Sequence, residues 1–480
     1  MITSKELNEL GLPNHKQIMP LAMKLINQAL SGGACPVLMR ENLNRLCQQP
    51  AGMAEDPVLG ELAHSLHRHF PDGVMFTPRA NPAPWRQWGE LYVEDSALQQ
   101  MENACSLPKA VRGALMPDAH TGYGLPIGGV LATEGIVIPY AVGVDIACRM
   151  RLSVLDLPPH FLNERREALI AALEQETRFG VGAEFAPAER REHAVMDEDW
   201  NVTEITGRSK GKAWKQLGSS GGGNHFVEFG ELHLESTAEL GGRQVEQGVY
   251  LALLSHSGSR GSGQNVAEHY SKLAMSMRPA LPSGIRHLAW LDLDSEAGQE
   301  YWAAMELMGR YAAANHEQIH AHILRKLGAE ALSHVENHHN FAWKEKYEGK
   351  NVIIHRKGAT PAAAGVQGII PGSMASPAFV VSGKGNKEAL NSCSHGAGRL
   401  MSRTMAFNSP DANKLQACLQ EQGVELLSGG LDEAPMAYKD IFAVIAAQDE
   451  LVDVLARFDP RLVKMAPPDK QLSRRKRKVK

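Results

Sequence analysis

Glycine-rich, β-branched text recurs in three separated blocks, about 85–150, 223–257 and 350–400, with helical text between them. This block order constrains the fold more than any other feature of the chain. Regular βαβ alternation would give a doubly wound parallel sheet, whereas strands and helices in blocks favour an α+β architecture, with mixed or antiparallel sheets and flanking helices. The stretch GLPIGGVLATEGIVIPYAVGVDIACRM reads as short strands joined by tight turns. No unit repeats with a period of about 20–50 residues, which removes solenoids and propellers.

Around these blocks the helical text is uneven. Ile18, Leu21, Leu25 and Leu30 fall at helical spacing, so residues 1–80 are expected to form an N-terminal helical extension, joined through the proline-bearing stretch Pro71 to Pro84. A catalytic domain is expected over 81–480, with a Glu- and Arg-rich helical surface insertion at about 160–220. A long helix is expected from about 298 to 327 and a shorter one near 411–423.

Composition excludes several classes. The chain is 43% hydrophobic and 22% charged, ordinary for a globular protein with ample core. The six cysteines are scattered without a C-x-x-C pair, and residues 1–30 lack the pattern of a signal peptide. No apolar run approaches the roughly 20 residues that span a bilayer. A cytoplasmic, non-membrane protein is therefore expected. The net charge of −4 leaves any RNA binding to local basic patches.

Chemistry-bearing residues concentrate in short segments flanked by small residues, which allow a bulky ligand close to the backbone. They are PDAHTGYG (117–124), GVDIACRM (143–150), GGGNHFVE (221–228), SHSGSRG (255–261), NHHN (337–340) and SCSHGAGR (392–399). Asp145, Cys148, His225, His256 and His339 together offer O, S and N donors, a complete transition-metal ligand set. Each alone has a plainer reading: a turn histidine, a small buried thiol, an Asx-turn or cap. Only their recurrence in separate segments favours a site.

A competing pattern lies on the long helix. His316-Glu317-Gln318-Ile319-His320 fits H-E-x-x-H, with two histidines one turn apart and a glutamate as base. The extended form with a glycine three residues further is absent, and a solvated helix face is the plainer expectation. A zinc peptidase on these residues is one alternative function. Neither G-x-x-x-x-G-K-[ST] nor Lys-x-Asp-Gly occurs, so the familiar P-loop and lysine-nucleophile routes to nucleotide activation are missing.

Taken in order, MPDAHTGYGLPIGG, GVDIACRM, GGGNHFVE, HSGSRG, NHHN, HRKGATPA, PGSM, SCSHGAGR and DEAPMAYKDI resemble the motif set of RtcB-type RNA ligases over roughly residues 85–480. The resemblance implies a GTP- and Mn²⁺-dependent ligase with an RtcB-like fold around a binuclear metal site. One ion would be held by Asp145, Cys148 and His225, the other by Cys148, His256 and His339. By ligand softness a Cys/His set favours zinc, so zinc is expected to occupy the site and inhibit. The resemblance makes His395 the nucleophile, forming a histidine–GMP adduct, and Asp118 is the candidate carboxylate orienting it.

The implied GMP pocket takes in Asn224, His225, Glu228, His339, Asn340, Pro371, Gly372, Ser373, Met374, Gly396, Ala397 and Gly398. Tyr438 would pack on the guanine, and Lys480 would fold back to the base. Arg260, Arg356, Lys357 and Arg399 are candidates for RNA phosphates. The implied partners are RNA ends bearing a 2′,3′-cyclic phosphate or 3′-phosphate and a 5′-hydroxyl, joined by a monomer. A non-catalytic RNA-binding protein is the remaining alternative, against which intact Asp145, Cys148 and His395 argue.

Several positions depart from the family text. Ala119 and Thr121 replace Val and Pro, Ala147-Cys148-Arg149 replaces G-C-G, Ala375-Ser376 replaces Gly-Thr, and Ala378 stands where a serine is used. These changes mark a divergent branch and favour damaged RNA over tRNA halves as substrate.

Overall fold

The computed structural model describes residues 2–467 except 14, 71–75, 77, 90–91, 279–280 and 409–411. The expected contact of Lys480, the start of the Pro71–Pro84 connection and the basic end of the chain lie outside the described residues.

Among the described residues the strand text builds two large sheets and three two-stranded ones. The larger runs in the order Ala331–His338, Arg149–Leu155, Gly248–Ser257, Phe226–Leu234, Val452–Met465, Ala378–Gly383, Gln367–Ile370. All these neighbours pair antiparallel, and Glu425–Ser428 adds to Val452–Met465 in parallel. Both faces of this sheet are buried. Met150, Leu152, Val154 and Leu254 pack on one side with Phe458, and Val227, Phe229, Leu251 and Leu253 on the other with Ile319 and Ile323. Burial on two faces explains the nearly continuous apolar run YLALL in place of clean alternation.

The smaller sheet runs Trp85–Gln87, Ala110–His120, Ile127–Thr133, Lys350–Lys357, Phe341–Tyr347. Its first pair is parallel and the others antiparallel. The architecture is thus α+β with mixed sheets, as the block order requires.

The expected long helix spans Glu296–Leu327. Ser295 caps its start by accepting from the Gly298 N–H, and Gly328 ends it in the left-handed region at φ 64. It packs against the strands Arg149–Leu155 and Gly248–Ser257. From it Asn315, fully buried, accepts from the N–H groups of Gly218 (2.8 Å) and Ser219 (3.2 Å) and donates to Ser219 O (3.0 Å) and Ser257 Oγ (3.1 Å). One side chain thereby pins the chain entering GGGNH to the end of the strand carrying His256.

Two expectations are corrected. The segment 160–220 is not a surface appendage: Val195, Met196, Trp200, Ala213 and Leu217 belong to the same core as Tyr301, Met305 and Tyr311 of the long helix. Its many charges occupy the outer faces of helices whose other side is buried. His316 and His320 are not on a solvated face either, being 0% and 2% exposed.

Up to His69 the described residues carry the helices Ser4–Glu9, Ile18–Ser31, Pro36–Gln48 and Gly60–His69, and the described residues 76 and 78–80 carry none. Leu7, Ile18, Ile26, Leu43, Leu46, Leu62 and Leu66 close a core drawn from residues 2 to 70 alone. Among the described residues no helix is long and apolar enough to cross a membrane.

Candidate active site

Antiparallel pairing in the large sheet puts strand starts beside strand ends. Cys148 precedes Arg149–Leu155 and His225 precedes Phe226–Leu234, while His256 lies near the end of Gly248–Ser257 and His339 follows Ala331–His338. The register sets Met150 and Phe226 opposite His256, and His338 opposite Arg149. Four neighbouring strands therefore deliver their donors to one end of the sheet. The glycines of the motifs make room for this. A Cβ at Gly221 would lie 1.8 Å from His225 Nδ1, and one at Gly258 would lie 2.2 Å from Asp145 Oδ1.

At that end Cys148 Sγ lies 3.3 Å from His225 Nε2 and 3.1 Å from His256 Nε2. His256 Nε2 is 3.3 Å from His339 Nε2, and His225 Nε2 is 3.0 Å from Asp145 Oδ2. The donors form two sets sharing the thiol, Asp145–Cys148–His225 and Cys148–His256–His339. His256 Nδ1 sits 3.0 Å from the Asn224 carbonyl oxygen and so carries the proton. Its Nε2 lone pair then faces sulfur and another imidazole nitrogen.

Burial, reinforced by the Asp145 charge, pushes the Cys148 thiol well above its ordinary range. Burial and neighbouring imidazoles hold His256 and His339 well below theirs. Burial also opposes ionisation of Asp145, but the His225 hydrogen bond and the His225 and Arg260 charges outweigh it and keep the carboxyl low. Crowded lone pairs of this kind, on O, N and S donors, suit cations, which also remove the thiol proton. The residues fit a pair of metal ions.

Beside this cluster stands His395, after the short strand Ser392–Ser394, its ring 4.9 Å from that of His339. Asp118, fully buried in the small sheet, accepts at Oδ2 from His395 Nδ1 (2.7 Å) and from the backbone N–H groups of His395 (3.1 Å) and Gly396 (3.3 Å). Burial works against the Asp118 carboxylate, yet His395, His120 and Lys439 together hold it below its usual range. Lys439 also donates to the carbonyls of Pro117 (2.9 Å) and Ala119 (3.0 Å), gripping the backbone on both sides. Gly398, at φ +75, is required because a Cβ there would lie 2.0 Å from Asp118 O. The proton of His395 is thus held on Nδ1, which leaves Nε2 with its lone pair.

Residues 100–465 match the family model described as tRNA-splicing ligase RtcB. The RNA-splicing ligase RtcB of Escherichia coli strain K12 is 34% identical over 78% of this chain and 95% of its own length. The tRNA-splicing ligase RtcB of Methanococcus maripaludis is 31% identical over 73% of this chain and 86% of its own. The RNA-splicing ligase RtcB of Mycobacterium tuberculosis is 31% identical over 76% and 98%. This chain belongs to the RtcB family of RNA ligases.

In this RtcB-family chain the donors and His395 open into one cavity of about 380 Å³. Asn224, Asn340, Lys357, Pro371, Gly372, Ser373, Met374, Gly396, Ala397, Gly398, Arg399 and Tyr438 also line it. Glu228 lies in an adjoining recess with Pro371, Gly372, Ser373, Met374 and Ala378, and burial raises its carboxyl well above the usual range. Arg399 donates to Glu433 (2.8 Å) and to Asp432 O (2.7 Å) with its guanidinium over the Tyr438 ring at 5.1 Å. Lys357 donates to Tyr123 O, and burial lowers its amine to about 7.

Two arginines expected at RNA phosphates are placed elsewhere. Arg356 is 1% exposed and spends its guanidinium on Ser392 Oγ (2.7 Å), Glu345 (2.6 Å) and Leu390 O (2.9 Å), so it braces the strand instead. Arg260, also buried, donates to Ser219 Oγ (3.2 Å) and Gly180 O (3.3 Å), and its charge acts on Asp145.

The H-E-x-x-H pattern builds no metal site. His316 and His320 bond to Ser255 Oγ at 2.6 and 2.8 Å, and Glu317 points away to His193 at 3.1 Å. Arg403 and Glu433 line the cavity and were not singled out in the sequence, nor was Lys439 behind Asp118. Arg403 opens the helix Arg403–Asn408 while Arg399 lies before it in a bridge to Tyr438, so no helical spacing announced the pair.

Proposed function

We propose that this chain seals RNA ends through a guanylylated His395, joining a 2′,3′-cyclic phosphate or 3′-phosphate to a 5′-hydroxyl with GTP as co-substrate. The observation that carries the reading is the Asp118–His395 hydrogen bond at 2.7 Å, because it engages Nδ1 and leaves the other ring nitrogen free in a cavity shared with two metal-ligand sets. A cyclic end is first opened by water to a 3′-phosphate. His395 Nε2 attacks the α-phosphorus of GTP, a P–N bond forms and pyrophosphate leaves. The 3′-phosphate oxygen then takes GMP from the imidazole, and the 5′-hydroxyl oxygen displaces GMP as its proton is lost.

Two Mn²⁺ ions, one on Asp145, Cys148 and His225 and one on Cys148, His256 and His339, would supply charge neutralisation and Lewis acidity at the phosphates. Glu228, whose carboxyl burial pushes up, faces a purine edge from its recess, and Pro371 to Met374 supply backbone beside it. Tyr438 presents its ring and Arg399 its guanidinium on the cavity wall. Damaged RNA in the cytoplasm is the substrate this reading favours, with a monomer as the working unit.

Incubation with labelled GTP and a panel of metals tests nucleotide, nucleophile and cation together. The expected result is an adduct with Mn²⁺, stable to alkali and labile to acid, absent in His395→Ala and suppressed by Zn²⁺. Equal labelling of wild type and His395→Ala would overturn the assignment.

A further inference from the structure

Part of the cavity wall has no role in the chemistry above. Tyr123 and Tyr140 line the cavity, and His287 packs against both. The His287 ring meets Tyr140 at 4.6 Å and 80°, and Tyr123 at 5.4 Å and 65°. Tyr123 is 66% exposed, so a ring on the cavity wall is left open to solvent.

The turn that displays Tyr123 is pinned on several sides. Gly122 exchanges two hydrogen bonds with the Gln100 side chain, at 3.0 and 2.6 Å. Gly124, at φ +73, packs so closely on His287 that a Cβ would lie 2.8 Å from its carbonyl oxygen. The Lys357 amine holds the Tyr123 carbonyl. The next residue, Gly358, approaches the reaction centre, because a Cβ there would lie 3.1 Å from His395 Cε1. The Lys357 amine thus reaches the Tyr123 turn while its chain neighbour Gly358 lies against the imidazole. An open ring with a neighbouring cation is how proteins hold unpaired nucleic acid: the base stacks and the phosphate meets the charge.

We propose that Tyr123, backed by Tyr140 and His287, stacks the nucleobase of the 3′-phosphorylated terminal nucleotide while Lys357 meets that nucleotide's phosphate. The proposal rests on the ligase reading, which requires this phosphate beside His395 to receive GMP. The base is therefore recognised by its π-face without regard to sequence, and it must be unpaired to reach the ring.

The test uses the full-length protein with Mn²⁺ and without GTP, binding short single-stranded RNAs that carry 2-aminopurine at the 3′-phosphorylated terminus or at the 5′-hydroxyl terminus. Stacking quenches the probe. Expected are quenching at the 3′ terminus in wild type and Tyr123→Phe, its loss in Tyr123→Leu, and about 5- to 100-fold weaker binding when the 3′-terminal nucleotide is abasic. Undiminished quenching in Tyr123→Leu, quenching confined to the 5′ probe, or an abasic end that binds wild type as tightly as an intact one would each overturn it. GTP labelling of wild type, run in parallel, judges the ligase reading separately. A protein that does not label but quenches as expected sinks that reading and keeps the stacking surface.

Discussion

The Asp118 carboxylate meets the His395 imidazole at Nδ1, 2.7 Å away, and the same oxygen also receives the backbone N–H groups of His395 and Gly396. One atom therefore sets both the tautomer of the ring and the path of the chain bearing it. Asp118→Ala removes the acceptor of all three N–H groups, so the ring is free to turn and to carry its proton on Nε2, where the nucleophilic lone pair is lost. The expected result is a fall of roughly 10- to 100-fold or more in the rate of GTP labelling, measured in single turnover. Unchanged labelling would remove Asp118 from the mechanism.

The same carboxylate makes a pH prediction. Its folded pKa lies below the usual range, so the unfolded chain takes up its proton at higher pH than the folded one. The stabilisation is fully present above the unfolded carboxylate pKa, about 4, and is lost as pH falls through the folded value. Urea midpoints of wild type should therefore drop more steeply below about pH 4 than those of Asp118→Asn. Parallel curves would show that the carboxylate contributes nothing in this window.

Cys148 belongs to both donor sets, whereas Asp145 and His339 belong to one each. Metal content should follow that division. After gel filtration in limiting Mn²⁺, Asp145→Ala and His339→Ala should each retain more metal than Cys148→Ala, which should lose both sites together. Chelation should lower the melting temperature of wild type, because ions that bind only the folded state stabilise it. Retention of half the metal by Cys148→Ala would show that the sites do not share the thiol.

How much of this was legible depended on what each residue type could reveal alone. The ligand loops stood out because donors approaching this closely exclude side chains at Gly221 and Gly258, and that exclusion is written as glycine. The strand Val452–Met465, central to the large sheet, was missed although Val452, Val454, Ala456, Phe458 and Leu462 alternate with Asp453, Arg457 and Arg461. Pro460 argues against a central strand, and the structure admits it beside a register shift between Pro460 and Leu462. The helix Arg260–Met277 was hidden because it opens on the glycine- and serine-rich text RGSG. Arg356 and Lys357 are adjacent in one motif, yet one is clasped inside the sheet and the other lines the cavity. Motif text carries identity and order, and burial is decided by the partner strand.

Lys357 should take up a proton when it meets a phosphate. Burial lowers its amine to about 7, so above that pH the free protein holds it largely neutral. An anion beside it favours the charged form. Calorimetry of 3′-phosphorylated RNA binding at pH 8, in buffers of different ionisation enthalpy, should show uptake approaching one proton in wild type and less in Lys357→Met. The stability slope has the same sign as that of Asp118 and falls in a window at higher pH. Between about 7 and the unfolded lysine value the unfolded chain binds the extra proton, so stability rises with pH across that window. Lys357→Met should flatten the rise, and equal slopes in both proteins would refute the shifted amine.

The last prediction separates the buried histidines of the long helix from the glutamate between them. His316 Nε2 donates to Ser257 O at 3.2 Å, so its Nδ1 accepts from Ser255 Oγ at 2.6 Å, and Ser255 Oγ in turn accepts from His320 Nε2 at 2.8 Å. His320 Nδ1 then accepts from Ser153 Oγ at 2.8 Å. Every polar atom of this chain has one directional role, and the chain joins the helix to the two strands that deliver Cys148 and His256. Removing a ring leaves a buried hydroxyl unsatisfied and opens a cavity, so His316→Ala and His320→Ala should each cost about 2–4 kcal/mol in urea unfolding. Glu317 is half exposed and pairs with His193 across the surface. Glu317→Gln should change stability by no more than about 1 kcal/mol and leave ligation intact. A peptidase centred on this helix predicts the reverse, with Glu317→Gln abolishing turnover while the fold survives.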